Sequence, residues 1–289
     1  MKKPFPYAIR AVGPGSQPGD DAPLEVLDLP RDMPTFAMPS VPDAPRDALA
    51  LGRDVLAAFR DQCRLALPAG AVARLDLAGF GDDVLDVLDD MLGEGEVAIR
   101  IDAPYRFRIQ ESVFAGLWRV CALDPQGMLA ADWLEAAPIP SVVVAAARAA
   151  AQPKFTPVDL PAGAMNSPAL VAELASRVAH RACGDAAHVV NLTLLPMSPE
   201  DYAVLEAALP VGPVAIMSRG FGSCRITSTR LRDTWRVQYF NSMSTLILNT
   251  LEVVDVPEVA LAAAEDLGDS LERLSELVDW MSETIAEPA

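Results

Sequence analysis

The chain has 289 residues, 51% of them hydrophobic, with 40 Asp and Glu against 23 Lys and Arg, a formal net charge of −17. That length suits one large domain or two of ordinary size. The charge makes nucleic acid a poor partner, because binding it takes a basic footprint, and it disfavours an anionic membrane surface. It would attract a basic protein or cationic peptide, or simply keep the chain soluble.

The opening MKKPFPYAIR lacks the apolar stretch of an export signal, and nowhere do about 18 apolar residues run together to span a bilayer. Cys63, Cys121, Cys183 and Cys224 are scattered, without the close pairs of a zinc knuckle, a ferredoxin-type cluster or a thioredoxin-like motif. The expectation is a cytoplasmic protein with reduced thiols, no metal and no cofactor.

Residues 1–45 are rich in Pro, Gly and Asp and predict an extended arm, since proline has no amide donor and disfavours helix in the residue before it. The arm still carries Leu24, Val26, Leu27, Leu29, Met33, Phe36 and Met38, enough for part of it to lie against the body or a partner. A helix is predicted over 46–66, where Leu49, Val55, Leu56, Phe59 and Cys63 recur near helical spacing.

From there the sequence repeats itself. At the 117-residue separation of Trp118 and Trp235, one ungapped register aligns Leu75 and Leu77 with Leu192 and Leu194, and Val97-Ala98-Ile99 with Val214-Ala215-Ile216. The same register aligns Trp118-Arg119-Val120 with Trp235-Arg236-Val237, and Leu134-Glu135 with Leu251-Glu252. Each copy reads as a short strand, a helix, a Gly-marked turn and three strands. These are Val97–Ile101, Tyr105–Gln110 and Leu117–Leu123 in the first copy, and Val214–Ser218, Ser223–Ser228 and Thr234–Phe240 in the second. The helix of copy two opens on Ser198-Pro199-Glu200-Asp201, with a cap, a first-turn proline and an acid three residues after the cap. Residues 246–254, LILNTLEVV, are β-prone, whereas LAADWLEAA at the matching place in copy one is more helix-like.

Between the copies a helix is predicted from Pro168 to Cys183, capped by Ser167. The last helix, 257–285, sets Leu267, Leu274, Val278 and Met281 on one stripe and seven acids on the other, which suits docking on a sheet with the charge in solvent. The expected fold is therefore α+β, with an N-terminal arm (1–45), a first repeat with its preceding helix (46–152), a helical connector (153–187) and a second repeat with the acidic helix (188–289).

No catalytic set stands out: GxSxG, HExxH and P-loop patterns are missing, and the abundant carboxylates read as solvated surface. His180, Cys183 and His188 are too few and too loosely spaced for a convincing metal site. Residues shared by both copies read as fold-making. The stretch Ser218-Arg219-Gly220-Phe221-Gly222-Ser223-Cys224-Arg225, unlike its counterpart in copy one, reads as a binding loop. Arg219, Arg225, Arg230, Arg232 and Arg236 face only Asp233 in this part of the sequence, and such a cationic patch would lower the pKa of Cys224, which otherwise reads as a small apolar strand residue.

The run SRGFGSCRITSTRLRDTWRVQYFN, then LILNTLEVVDVPEVA, together with GPGSQPGDDAPLEVLDLPRDMPTF near the start, resembles the HupH/HyaF/HoxQ family of [NiFe] hydrogenase accessory proteins along essentially the whole chain. The resemblance implies a non-enzymatic, chaperone-like factor that holds the iron–sulfur small-subunit precursor, with its twin-arginine export signal, before export; other maturation factors are further candidate partners. The family motif falls on Arg219, Gly220, Gly222, Cys224, Arg225, Trp235, Asn241, Asn249, Thr250 and Glu252. Arg219, Phe221, Cys224, Arg225, Tyr239 and Asn241 are taken as the partner-binding candidates. The alternative is an iron–sulfur or metal carrier using Cys224.

Overall fold

The computed structural model describes residues 42–155, 158–219 and 223–286. The expected arm lies, as far as residue 41, outside them. The described residues hold six α-helices and ten β-strands, and they gather into two compact units. One unit comprises residues 42–99, 105–141 and 261–286; the other comprises 100–104, 142–155, 158–219 and 223–260.

In the first unit, α1 (Arg46–Ala66) precedes β1 (Ala73–Asp76), α2 (Asp82–Leu92), β2 (Val97–Ile101), β3 (Arg106–Glu111), β4 (Leu117–Leu123) and β5 (Leu129–Ala136). The strand order is β1-β5-β4-β3-β2, with β5 antiparallel to both β4 and β1. LAADWLEAA is thus a strand where its composition suggested helix. Its last five residues are buried between two neighbours, and that pairing outweighs the helix preference of Leu, Ala and Glu.

In the second unit, α3 (Ser141–Ala150) and α4 (Ser167–His180) lead to β6 (His188–Asn191), α5 (Pro199–Ala208), β7 (Val211–Ser218), β8 (Ser223–Thr229), β9 (Thr234–Phe240) and β10 (Leu246–Val253). The strand order β7-β8-β9-β10-β6 repeats the first in reverse listing. Moved by 117 residues, β4 and β5 coincide end to end with β9 and β10. Trp118 and Trp235 are both 1% exposed, and each indole N–H finds a carbonyl, Ala137 O at 2.9 Å and Asp255 O at 3.2 Å. Gly95 and Gly212 also correspond. A Cβ on either would run into the backbone of the neighbouring strand, at Ser112 O or Thr229 O, so only glycine fits.

Helix α6 (Ala264–Ala286) packs against α1 in the first unit, not on the second copy that precedes it in sequence. Leu267, Leu274, Leu277, Val278 and Met281 are its buried apolar residues, and the last four join Val55, Leu56, Phe59 and Cys63 of α1 in one core with Phe114, Leu117 and Leu134. Arg64 donates to Ser275 Oγ at 3.0 Å across the pair. All seven acids, from Glu265 to Glu283, remain exposed, as the stripe implied. An amphipathic pattern fixes that a face is buried, not which neighbour buries it.

The cap of α4 also differs from expectation. Ser167 does not cap it; Asp201 does, from the start of α5. Oδ1 of Asp201 accepts from the amides of Asn166 (2.9 Å) and Ser167 (2.8 Å), while Oδ2 accepts from the Ser198 amide (3.1 Å). The Ser198 hydroxyl accepts from the Asp201 amide in return, completing the expected capping box. One fully buried carboxylate therefore serves two helix N-termini, and the amides hold its pKa far below the usual carboxylate range despite burial.

Candidate functional site

The candidates from the second copy lie along β8 and β9, and the two-residue period of a strand separates them. Cys224 stands opposite Tyr239, and Arg225 opposite Gln238, so cysteine and arginine project from opposite faces of the sheet. Cys224 is 5% exposed, and the charge that acts on it is that of Glu252 rather than an arginine. Burial pushes its thiol up to about 12, Glu252 adds to this, and a hydrogen bond from the Tyr239 hydroxyl opposes it. The expected lowering by a cationic patch is therefore reversed. Burial likewise raises Tyr239 to about 12 and pushes Glu252 upward, the latter against a hydrogen bond from Thr250 Oγ1 at 3.0 Å.

On the other face the Arg225 guanidinium carbon lies 5.5 Å from the Phe240 ring centre, and burial lowers its pKa. Arg219 is half-buried just after β7, and Phe221 lies outside the described residues. Asn241 is engaged in the β9–β10 turn, where its side-chain oxygen accepts from the Met243 and Thr245 amides, both at 2.9 Å. The hairpin end leaves Met243 80% and Ile247 55% exposed.

At the other end of this hairpin, Asp233 and Asp255 are met by arginines from outside it. Arg148 and Arg181 reach Asp255 at 2.8 and 3.0 Å, and Arg232 donates to Val178 O at 2.7 Å. His188 pairs with Glu173 at 2.8 Å and His180 with Ser176 O at 2.7 Å. Among the described residues no group of three or more His, Cys, Asp or Glu is placed to hold a metal ion. None of their helices is long and apolar enough to cross a membrane.

A different group emerges when matching positions are compared. In the first unit, Arg119 is held by Asp132, Nε to Oδ1 at 3.2 Å and Nη2 to Oδ2 at 2.7 Å, and it also meets Asp89. The second unit has Arg236, Asn249 and Glu206 at those places. Arg236 is 7% exposed, yet it keeps only the neutral Asn249 oxygen, at 3.0 Å from Nε, and its Nη2 has no hydrogen-bond partner among the described residues. Burial brings its pKa down to about 10, while the exposed Glu206 and nearby Tyr202 oppose this only through space. The repeat had marked Arg236 as fold-making. The signal missed was the loss of charge from Asp132 to Asn249, which is readable only with both copies aligned.

The HupH hydrogenase expression protein, C-terminal conserved region, matches residues 48–154 and again 164–281. The chain is 42% identical over 279 residues to the hydrogenase expression/formation protein HoxQ of Cupriavidus necator, covering 96% of this chain and 98% of that one. It is 40% identical over 271 residues to the hydrogenase expression/formation protein HupH of Rhodobacter capsulatus, covering 92% and 94%. It is 34% identical over 283 residues to the hydrogenase-1 operon protein HyaF of Escherichia coli, covering 94% and 96%. With both halves of its folded body matched and such relatives aligned nearly end to end, the chain belongs to the HupH family of hydrogenase expression proteins.

Proposed function

We propose that this protein serves hydrogenase maturation as a non-enzymatic binding protein that holds the iron–sulfur small-subunit precursor before export. The observation that carries this reading is family membership along nearly the whole chain, with relatives named for hydrogenase expression and formation. The physical features agree with it. A charge of −17, with seven acids exposed along α6, suits a partner carrying a basic export signal. Exposed Met243 and Ile247 at one hairpin end, and Met128 (67%) at the matching end of the first unit, are adaptable apolar contacts of the kind a holding surface uses. We also read the correspondence of the two units as a duplication in which the second copy has diverged for specific contacts through Arg219, Phe221, Arg225 and Tyr239. Its work is done in the cytoplasm, where precursors are made.

Co-purification tests the reading. Tagged protein should capture the small-subunit precursor from cells expressing the hydrogenase operon, and should lose most of it when the export signal is deleted or the salt is raised. Absence of the precursor from every eluate would end the proposal. Cys224→Ala, which removes a buried thiol, should leave capture intact.

A further inference from the structure

The second unit contains a small cavity lined by Leu192, Leu205, Leu209, Val211, Thr227, Ser228, Thr229, Arg236 and Leu251. Its room for a water-sized group is about 20 Å³, on the order of what one water or one carboxylate oxygen requires. Its origin is visible in the repeat. Where the first unit carries Gln110, the second carries Thr227, paired with Arg236 across β8 and β9, so side-chain volume has been removed beside Arg236. In the first unit Gln110 fills that space with its amide donating to Gly95 O, Val97 O and Glu111 O.

The charge has changed at the same place. The first unit answers its arginine with Asp132 held inside the fold. The second keeps the arginine, buries it more deeply and supplies only an amide oxygen, so a guanidinium edge is left facing the cavity without an anion. A buried cation without a counter-charge is costly, and a lost partner beside a gained void is an arrangement that an outside anion completes. Thr227, directly opposite Arg236 in the strand pair, shares its face of the sheet and lines the cavity beside it. Val211, 43% exposed, stands at the rim, so the group can be presented from solvent.

From this geometry we infer that the Arg236 cavity is a binding site for a single carboxylate, whose oxygens meet the guanidinium beside Asn249, in the space that Gln110 fills in the first unit. The guanidinium pairs with the carboxylate, and the leucine walls exclude water from the pair. A free small acid and the C-terminal carboxylate of a peptide share this chemistry, and the apolar lining admits little beyond the carboxylate itself.

Purified full-length protein would be titrated with acetate, with an acetylated dipeptide bearing a free C-terminus and with the same dipeptide amidated. Binding would be followed by calorimetry and thermal shift at fixed ionic strength, with chloride exchanged. Saturable binding of acetate supports a free-acid site; binding of the free-acid dipeptide but not the amide supports a chain-end site. Two variants anchor the site: Arg236→Met removes the cation, and Asn249→Asp installs the internal carboxylate of the first unit. Each should weaken the interaction about 10- to 100-fold, the loss expected for one charge-assisted contact. Asn249→Asp should do so while raising the melting temperature, which separates site occupancy from damage to the fold. Failure of the wild type to bind either carboxylate, or unchanged binding by Asn249→Asp, would overturn the inference without touching the maturation role.

Discussion

Glu111 shows how one side chain can set a pH response. It is 7% exposed at the end of β3, and its Oε1 accepts from the Gly116 amide at 2.9 Å. Burial raises its pKa from 4.5 to about 7, with Glu96 and Asp266 adding to the rise and the Gly116 and Val97 amides opposing it. A carboxyl with a raised folded-state pKa binds its proton more tightly folded than unfolded. Its contribution is therefore fully present below pH 4.5 and is lost as pH rises through about 7. Glu111→Gln keeps the acceptor and removes the titration. The variant should match the wild type near pH 4 and exceed it at pH 8 by up to about 3 kcal/mol in denaturant unfolding. Parallel pH profiles for the two proteins would show that Glu111 is solvated after all. Asp201 has the opposite sign: its lowered pKa gives stability that is present above the ordinary carboxyl range and lost on acidification. Cys224 shows what the sequence concealed at this scale. Its neighbours in sequence were cationic, but strand alternation carries Arg225 to the other face, a signal that was available in the strand prediction and was not applied to the site.

Among elements, those with local signatures were legible. The SPED start of α5, the 46–66 span of α1 and the limits of β4 and β9 all followed from residue order alone. What failed depended on distant partners: β5 became a strand because β1 and β4 flank it, and α4 is capped by a residue 34 positions away. The shared cap makes a clear prediction. Asp201→Ala removes the acceptor for three buried or half-buried amides at two helix starts, so unfolding should show a loss of about 2–4 kcal/mol. Ser198→Ala, which disturbs one helix only, should cost about 1 kcal/mol. Similar losses in the two variants would mean that the carboxylate does not join α4 to α5. The candidate site was legible in part: the sequence located the divergent hairpin and aligned Asp132 with Asn249, while the burial of Arg236 needed the fold.

At the scale of the molecule, one apolar cluster in each unit draws on the chain differently. Leu170, Leu174, Val190, Leu205 and Val253 belong to a core with no member beyond residue 253, whereas the other joins residues near 48 to Met281. Removing α6 strips five buried apolar side chains from the first unit. At about 2 kcal/mol each that approaches 10 kcal/mol, comparable to the whole stability of a domain. A chain ending at residue 263 should show rapid amide exchange through α1 and α2 while β8 to β10 stay protected. Equal protection in both units would contradict the dependence of the first unit on α6. This closure by the last helix has a consequence for synthesis. Ribosomes deliver a chain from its N-terminus, so domains ordinarily finish folding in the order in which they emerge. Here residues 46–141 emerge before the second unit but are completed after it: they wait, with the α1 stripe uncovered, until α6 leaves the exit tunnel.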